Sequence, residues 1–240
     1  MSGVAVVTGG SSGIGAALVA RLRHDGWFVV GLSRRPSAAD EHEECDVSDR
    51  TSVGSAAARV LARHPRIDLL VCNAGVAARS NYLDGNAEAI ERVVRVNYLG
   101  AVWTVLAFLP GLAEGSHVVN VVSVAGTVAG GPYSASKHAQ LAFSRSLARE
   151  AAPRGIRVHT VNPGFVETDG FPQRGRFGWL DRLVAAPELV ADRIVDAVEH
   201  DRREIFVPRW YRPAAWAQAL APGVVAGLRR AKHEPSRPSR

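Results

Sequence analysis

Apolar positions along the chain follow two rhythms. Short runs, most of them β-branched and several apolar without alternation, occur at residues 3–8, 27–32, 67–72, 117–122, 156–161 and 204–207, with a short polar one at 43–45. They predict strands covered on both faces. Between them lie longer, Ala-rich segments of helical period at 13–25, 48–63, 86–109, 133–152 and 187–200. Pro187 suits a first helical turn, whereas Asp49 and Asp181 say little as caps. Strands alternating with helices predict βαβ units. The expected fold is a doubly wound, Rossmann-type α/β domain, a parallel sheet of about seven strands with helices on both faces.

No internal repeat or Gly/Ser linker divides the body, so one domain over 1–208 is expected, with 209–240 as a tail. The tail mixes Trp210, Tyr211, Trp216 and Leu220 with arginines and prolines, and its polar end is expected to be disordered. It is expected to fold across the body or a neighbouring subunit, the alternative being contact with a membrane surface.

Composition narrows the function. The chain of 240 residues is 47% hydrophobic and 22% charged, the balance of a globular protein. Its net charge of +6 raises the question of nucleic acid. The excess is concentrated at the end, where Arg202, Arg203, Arg209, Arg212, Arg229, Arg230, Lys232, Arg237 and Arg240 face only Glu204 and Glu234. A body without a basic face argues against a nucleic-acid partner. Cys45 and Cys72 lie in apolar or strand-like stretches and no signal peptide is evident, so buried free thiols and a cytoplasmic location are expected. No run approaches the roughly 18 uninterrupted apolar residues of a membrane span. The histidines show no ligand spacing, so no metal site is expected.

The first strand runs into GGSSGIG. Gly9, Gly13 and Gly15 stand where a backbone must bend tightly and approach a pyrophosphate, and the helix beyond offers unpaired N–H groups and a positive dipole end. Ser11 and Ser12 add hydroxyl donors, and Ile14 lies within the same turn. Which nicotinamide cofactor fits follows from charge. The second strand ends in Ser33, Arg34 and Arg35, with no carboxylate to bind a ribose 2′-OH or repel a 2′-phosphate. NADP(H) is expected over NAD(H), with Arg34 pairing the phosphate through its planar fork.

Tyr133 and Lys137 stand at i and i+4 on one helix face. A phenol, with an ordinary pKa near ~10, shuttles protons at neutral pH only if a nearby positive charge stabilises its anion, which Lys137 can supply. Ser123 ends a strand-like run ten positions before Tyr133, where open α/β sheets place their ligand crevice.

The spacing Thr8-Gly9-x-x-x-Gly13-x-Gly15, together with Ser123, Tyr133 and Lys137, resembles the short-chain dehydrogenase/reductase family from Gly3 to about Pro208. The resemblance implies hydride transfer between the cofactor and a carbonyl or secondary alcohol. In it Tyr133 is the acid or base, Ser123 orients the oxygen, and Lys137 binds the nicotinamide ribose. It further assigns Asp46 and Val47 to the adenine edge, Asn73, Ala74 and Gly75 to the turn after the fourth strand, and Asn97 to a water-linked proton path. Pro163, Gly164, Val166 and Thr168 are assigned to the carboxamide end of the nicotinamide. Residues 167–186 correspond to the family's substrate lid, and Phe171, Phe177, Trp179 and Leu180 within it either point to an apolar substrate or pack the lid closed. Family members are usually dimers or tetramers built through the two long helices, here 86–109 and 133–152. The competing reading is a regulator that senses NADP(H) without turnover.

Overall fold

The computed structural model describes residues 3–77, 81–128, 130–168 and 184–220. Its strands are β1 Val4–Thr8, β2 Phe28–Ser33, β3 Glu41–Glu44, β4 Leu69–Cys72, β5 His117–Val121, β6 Arg157–Pro163 and β7 Glu204–Val207. All pair in parallel in the order β3-β2-β1-β4-β5-β6-β7. The helices are α1 Gly13–His24, α2 Arg50–Arg63, α3 Ala87–Val94, α4 Gly100–Phe108, α5 Gly131–Ala151, α6 Pro187–Glu199 and α7 Tyr211–Leu220.

Successive strand residues point to opposite faces, and both faces are covered, which is why the strand runs carry no polar alternation. Ala5, Val7, Val119, Val121 and Val161 pack with Leu18, Leu22, Val190 and Ile194 of α1 and α6. Val6, Leu70, Val118 and Val158 pack with Val53, Val60, Val105 and Phe108 of α2 and α4. Each large aliphatic side chain fully withdrawn from water in these two layers contributes about 1.5–3 kcal/mol.

Three elements differ from the sequence expectation. Strand β3 lies two residues earlier, because Glu41–Glu44 is the segment in register with Val30–Ser33. This edge strand is charged, and Glu43 is held by Arg59 at 2.7 Å and Arg63 at 2.5 Å, which suits an edge that must not pair further. Asp49 does cap α2, accepting from Thr51 N at 2.8 Å. The segment expected as one helix over 86–109 is two helices joined by a π turn at Arg95–Leu99.

That stretch, Ala87–Gly111, is long and apolar enough to cross a membrane by length and composition. Here it lies on the sheet, with Val93, Asn97, Ala101, Val105 and Phe108 buried. The tail segment Tyr211–Leu220 is helical and packs on the body, whereas 221–240, including its expected disordered end, lies outside the described residues.

Candidate active site

The strand order reverses between β1 and β4, so the crevice expected at the carboxyl ends of the strands opens there. Thr8 closes its floor. The Thr8 hydroxyl donates to Val71 O at 3.2 Å and accepts from Asn73 N at 2.9 Å and Ala74 N at 3.1 Å. The Asn73 amide donates to Thr8 O at 3.0 Å. Asn73 and Ala74 therefore brace the β1–β4 junction.

The glycine turn is built by exclusion. Gly9 and Gly13 have φ of 69° and 54°, in the left-handed region. A Cβ on Gly15 would lie 2.2 Å from Gly9 O, and one on Gly13 would lie 2.9 Å from Thr168 Cγ2, so the turn and Thr168 are in direct contact. Ser12 is the N-cap of α1 but makes no side-chain cap bond, and the first turn, with Ile14, holds no acidic residue. An uncapped helix N-terminus behind a glycine turn that keeps backbone close to its surface suits a pyrophosphate. Ser11 and Ser12 are half-buried beside it.

At the end of β2, Ser33 is buried and donates to Arg35 O at 2.7 Å, while Arg34 and Arg35 are exposed. Asp46 sits close enough to feel Arg34. Although burial pushes the Asp46 carboxyl up, hydrogen bonds from Ser48, with the charges of Arg34 and Arg92, hold it below the usual range. One of its oxygens accepts from Ser48 N at 2.9 Å and Ser48 Oγ at 2.7 Å. Val47 is buried, and a Cβ on Gly100 of α4 would lie 2.9 Å from Val47 O.

Ser123 follows β5 directly. Its hydroxyl accepts from Ala125 N at 3.1 Å, reaches Pro163 O at 3.4 Å, and is hydrogen-bonded to the Tyr133 hydroxyl. The start of α5 is tied to the loop after Ser123 by Ser134, which donates to Ala125 O at 2.7 Å and also bonds Val128 O. Serine and tyrosine thus meet because a strand end and a helix start are tied together. Lys137, one turn further along α5, is wholly enclosed, and Nζ donates to Val121 O at 3.1 Å and Gln140 Oε1 at 2.8 Å.

Burial pushes the Lys137 ammonium down to about 7. It also pushes the Tyr133 phenol above its ordinary value, and the bond with Ser123 returns only part of this. The lowering of Tyr133 expected from Lys137 is therefore not found in this geometry. Burial and the Ser123 hydrogen bond are what act on the phenol, and the amine donates to Val121 O and Gln140 Oε1.

Asn97 explains the π turn. Its Oδ1 accepts from Val76 N at 2.8 Å, and its Nδ2 donates to Val76 O at 3.0 Å and Ser136 Oγ at 3.1 Å. Ser136 in turn donates to Tyr133 O at 2.7 Å. The π turn thus carries a side chain that ties the loop after β4 to the helix bearing Tyr133 and Lys137, and π turns are frequent at such sites. A Cβ on Gly75 would lie 3.3 Å from Asn97 Oδ1 and 3.7 Å from Lys137 Nζ, so glycine keeps a space open beside both.

Beyond β6, Gly164 N donates to Val207 O at 2.8 Å. Val166 bridges Ala185, with Glu167 N to Ala185 O at 3.0 Å and Ala185 N to Phe165 O at 2.9 Å. This pins both ends of the expected lid. Phe171, Phe177, Trp179 and Leu180 lie outside the described residues. Sequence reasoning missed three residues here: Ser136, Gln140 and Tyr211. A Cβ on Gly164 would lie 2.0 Å from the Tyr211 ring, so α7 leans on this loop. The signal for Ser136 and Gln140 was a polar residue on the buried face of α5. Tyr211 gave none, lying in a segment with no clear period. Among the described residues, no group of His, Cys, Asp or Glu could hold a metal. Cys45 and Cys72 are free and buried, and burial raises their thiols to about 11 and about 12.

Comparison with known proteins gives consistent matches. The family described as short chain dehydrogenase matches residues 3–176. A dehydrogenase/reductase SDR family protein 7-like of Anopheles gambiae is 31% identical, covering 92% of this chain and 80% of its own. An uncharacterized oxidoreductase of Staphylococcus saprophyticus is 33% identical, covering 82% and 91%. Among solved structures, a short chain dehydrogenase from Burkholderia cenocepacia in complex with NADP superposes with a TM-score of 0.73 at 29% identity, covering 81% and 89%.

Proposed function

The chain belongs to the short-chain dehydrogenase/reductase family of oxidoreductases, and from that premise we propose that it transfers a hydride between NADP(H) and an apolar carbonyl or secondary alcohol. The observation that carries the reading is the hydrogen bond between Tyr133 and Ser123 at the carboxyl end of β5, with the Lys137 amine enclosed one helical turn away.

Each residue has a chemical task. Gly9, Ser11, Ser12, Gly13, Ile14 and Gly15 hold the pyrophosphate through backbone N–H groups and hydroxyls. Arg34, with Ser33 and Arg35, takes the 2′-phosphate, and its exposure leaves the guanidinium fork available. The NADP in the Burkholderia structure supports the choice of cofactor. Asp46 and Val47 border the adenine, Asn73, Ala74 and Gly75 the adjoining ribose side, and Pro163, Gly164, Val166 and Thr168 the carboxamide. When bound, the nicotinamide supplies or receives the hydride. In reduction, Tyr133 Oη gives its proton to the substrate oxygen while Ser123 Oγ donates a second hydrogen bond to it. Oxidation reverses the proton. Lys137 contributes a positive charge beside the phenol, and Asn97 keeps the loop after β4 against α5 so that the lysine faces an open space over Gly75.

The domain is read as 1–208 with its lid at about 167–186, and 209–240 as an appended segment whose helix α7 braces the site. Assembly through the segments 86–109 and 133–152 is part of the same reading, and a groove between the π turn and α5, lined by Tyr98, Ala142, Phe143 and Leu147, lies on that face. A cytoplasmic location is part of the same reading.

An NADPH oxidation screen across aldehydes, ketones, steroids, quinones and 3-oxoacyl thioesters, repeated with NADH, tests the proposal. Turnover with NADPH in at least one class is expected. Tight NADPH binding without turnover in any class favours the sensing regulator, and turnover only with NADH overturns the role of Arg34.

A further inference from the structure

The buried face of α5 carries a residue that the reaction as described does not use. Gln140 is fully enclosed, one helical turn beyond Lys137. Its Oε1 accepts from Lys137 Nζ at 2.8 Å, while its Nε2 has no hydrogen-bond partner. Burying an amide N–H without a partner is unfavourable, and an apolar side chain of similar length would fill the position without that cost. An ammonium has three donors and no acceptor, so the oxygen must face it.

We propose that Gln140 is a positioning residue for Lys137, holding the amine with Val121 O so that one N–H remains for the open space over Gly75. This rests on the assignment of Lys137 to the active site. Two of the three ammonium donors are committed, to Val121 O and to Gln140 Oε1. The amine cannot rotate freely, and it is presented to the same side that Gly75 leaves open, where a Cβ would come 3.7 Å from Nζ. The amide dipole also favours the charged amine. Burial brings Lys137 down to about 7, and losing the acceptor at 140 is expected to remove a side-chain hydrogen bond that favours the charged amine. The enclosed amine is then neutral at neutral pH and offers Tyr133 no positive charge.

The composition of the chain makes the test direct. Its only lysines are Lys137 and Lys232, every other strongly basic side chain being arginine. Protein labelled with 13C at lysine Cε therefore gives two resonances, which Lys232→Arg assigns. Titration by NMR is compared for the parent, Q140L and Q140E. In Q140L the Lys137 midpoint should fall by about one pH unit, and in Q140E it should rise by at least as much, because a hydrogen bond to a charged group is lost or replaced by an ion pair. Lys232 should not move. The alkaline limb of kcat should shift in the same two opposite directions, which a packing defect would not produce. If Q140L fails to fold, judged by circular dichroism, the upward shift in Q140E decides alone. Lys137 midpoints unchanged in the folded variants overturn the proposal even if turnover is normal. Absence of turnover in the parent with the midpoints still shifting instead overturns the enzymatic reading and leaves the contact intact.

Discussion

Acidification should weaken this protein through one buried pair at the amino-terminal ends of β5 and β6, far from the catalytic crevice. His117 and His159 stack with ring centroids 5.1 Å apart and an inter-ring hydrogen bond of 2.9 Å. His159 Nδ1 faces Arg202 O at 3.0 Å, so it carries a proton and its Nε2 is an acceptor. His117 Nδ1 must then be the donor of the inter-ring bond. Its Nε2 is left as an acceptor facing Arg157 Nη1 at 3.4 Å. Both rings are neutral, and the chain of donors runs one way. Burial above all, then His159 and Arg157, hold His117 down to about 4 from 6.5, with Asp201 pulling the other way. The His117 pKa is lower in the folded state than in the unfolded chain, so its contribution is fully present above the unfolded value and is lost as pH falls from about 6.5 to about 4. At about 1.36 kcal/mol per pH unit the whole window is worth up to about 3 kcal/mol. Urea denaturation at pH 7 and 4.5 should show the parent losing about 2 kcal/mol more than His117→Gln, which retains a donor but cannot titrate. Equal losses in the two proteins would refute the reasoning.

Tyr133→Phe removes the proton donor and little volume, so kcat should fall by about 10²–10⁴ while NADPH affinity, read by fluorescence, stays within a few-fold. Arg34→Asp places a carboxylate where a 2′-phosphate is expected and should shift preference toward NADH in paired kinetic assays, unchanged preference counting against the assignment. Gly164→Ala puts a methyl group 2.0 Å from the Tyr211 ring. It should lower stability by about 1–3 kcal/mol in urea titrations, and a neutral result would show that α7 does not bear on the loop.

The elements and their order were legible because each obeys a local rule. Short β-branched runs favour strands buried on both faces, and a glycine turn between such a run and a helix favours a close backbone approach. For the same reason Ser123, Tyr133 and Lys137 could be found: a strand end and an i, i+4 helix pair are local patterns. What stayed hidden depended on partners distant in sequence. The helix around Asn97 is broken because its amide serves Val76 and Ser136, 21 and 39 residues away. Strand β3 begins where β2 offers pairing partners, and the tail, which has no clear period, forms α7 with its Tyr211 ring seated against Gly164. The reversal of Tyr133 from an expected lowering to a rise has the same origin. Sequence spacing places a charge near the phenol, but only packing decides how much water is excluded from both and which acceptors claim the amine.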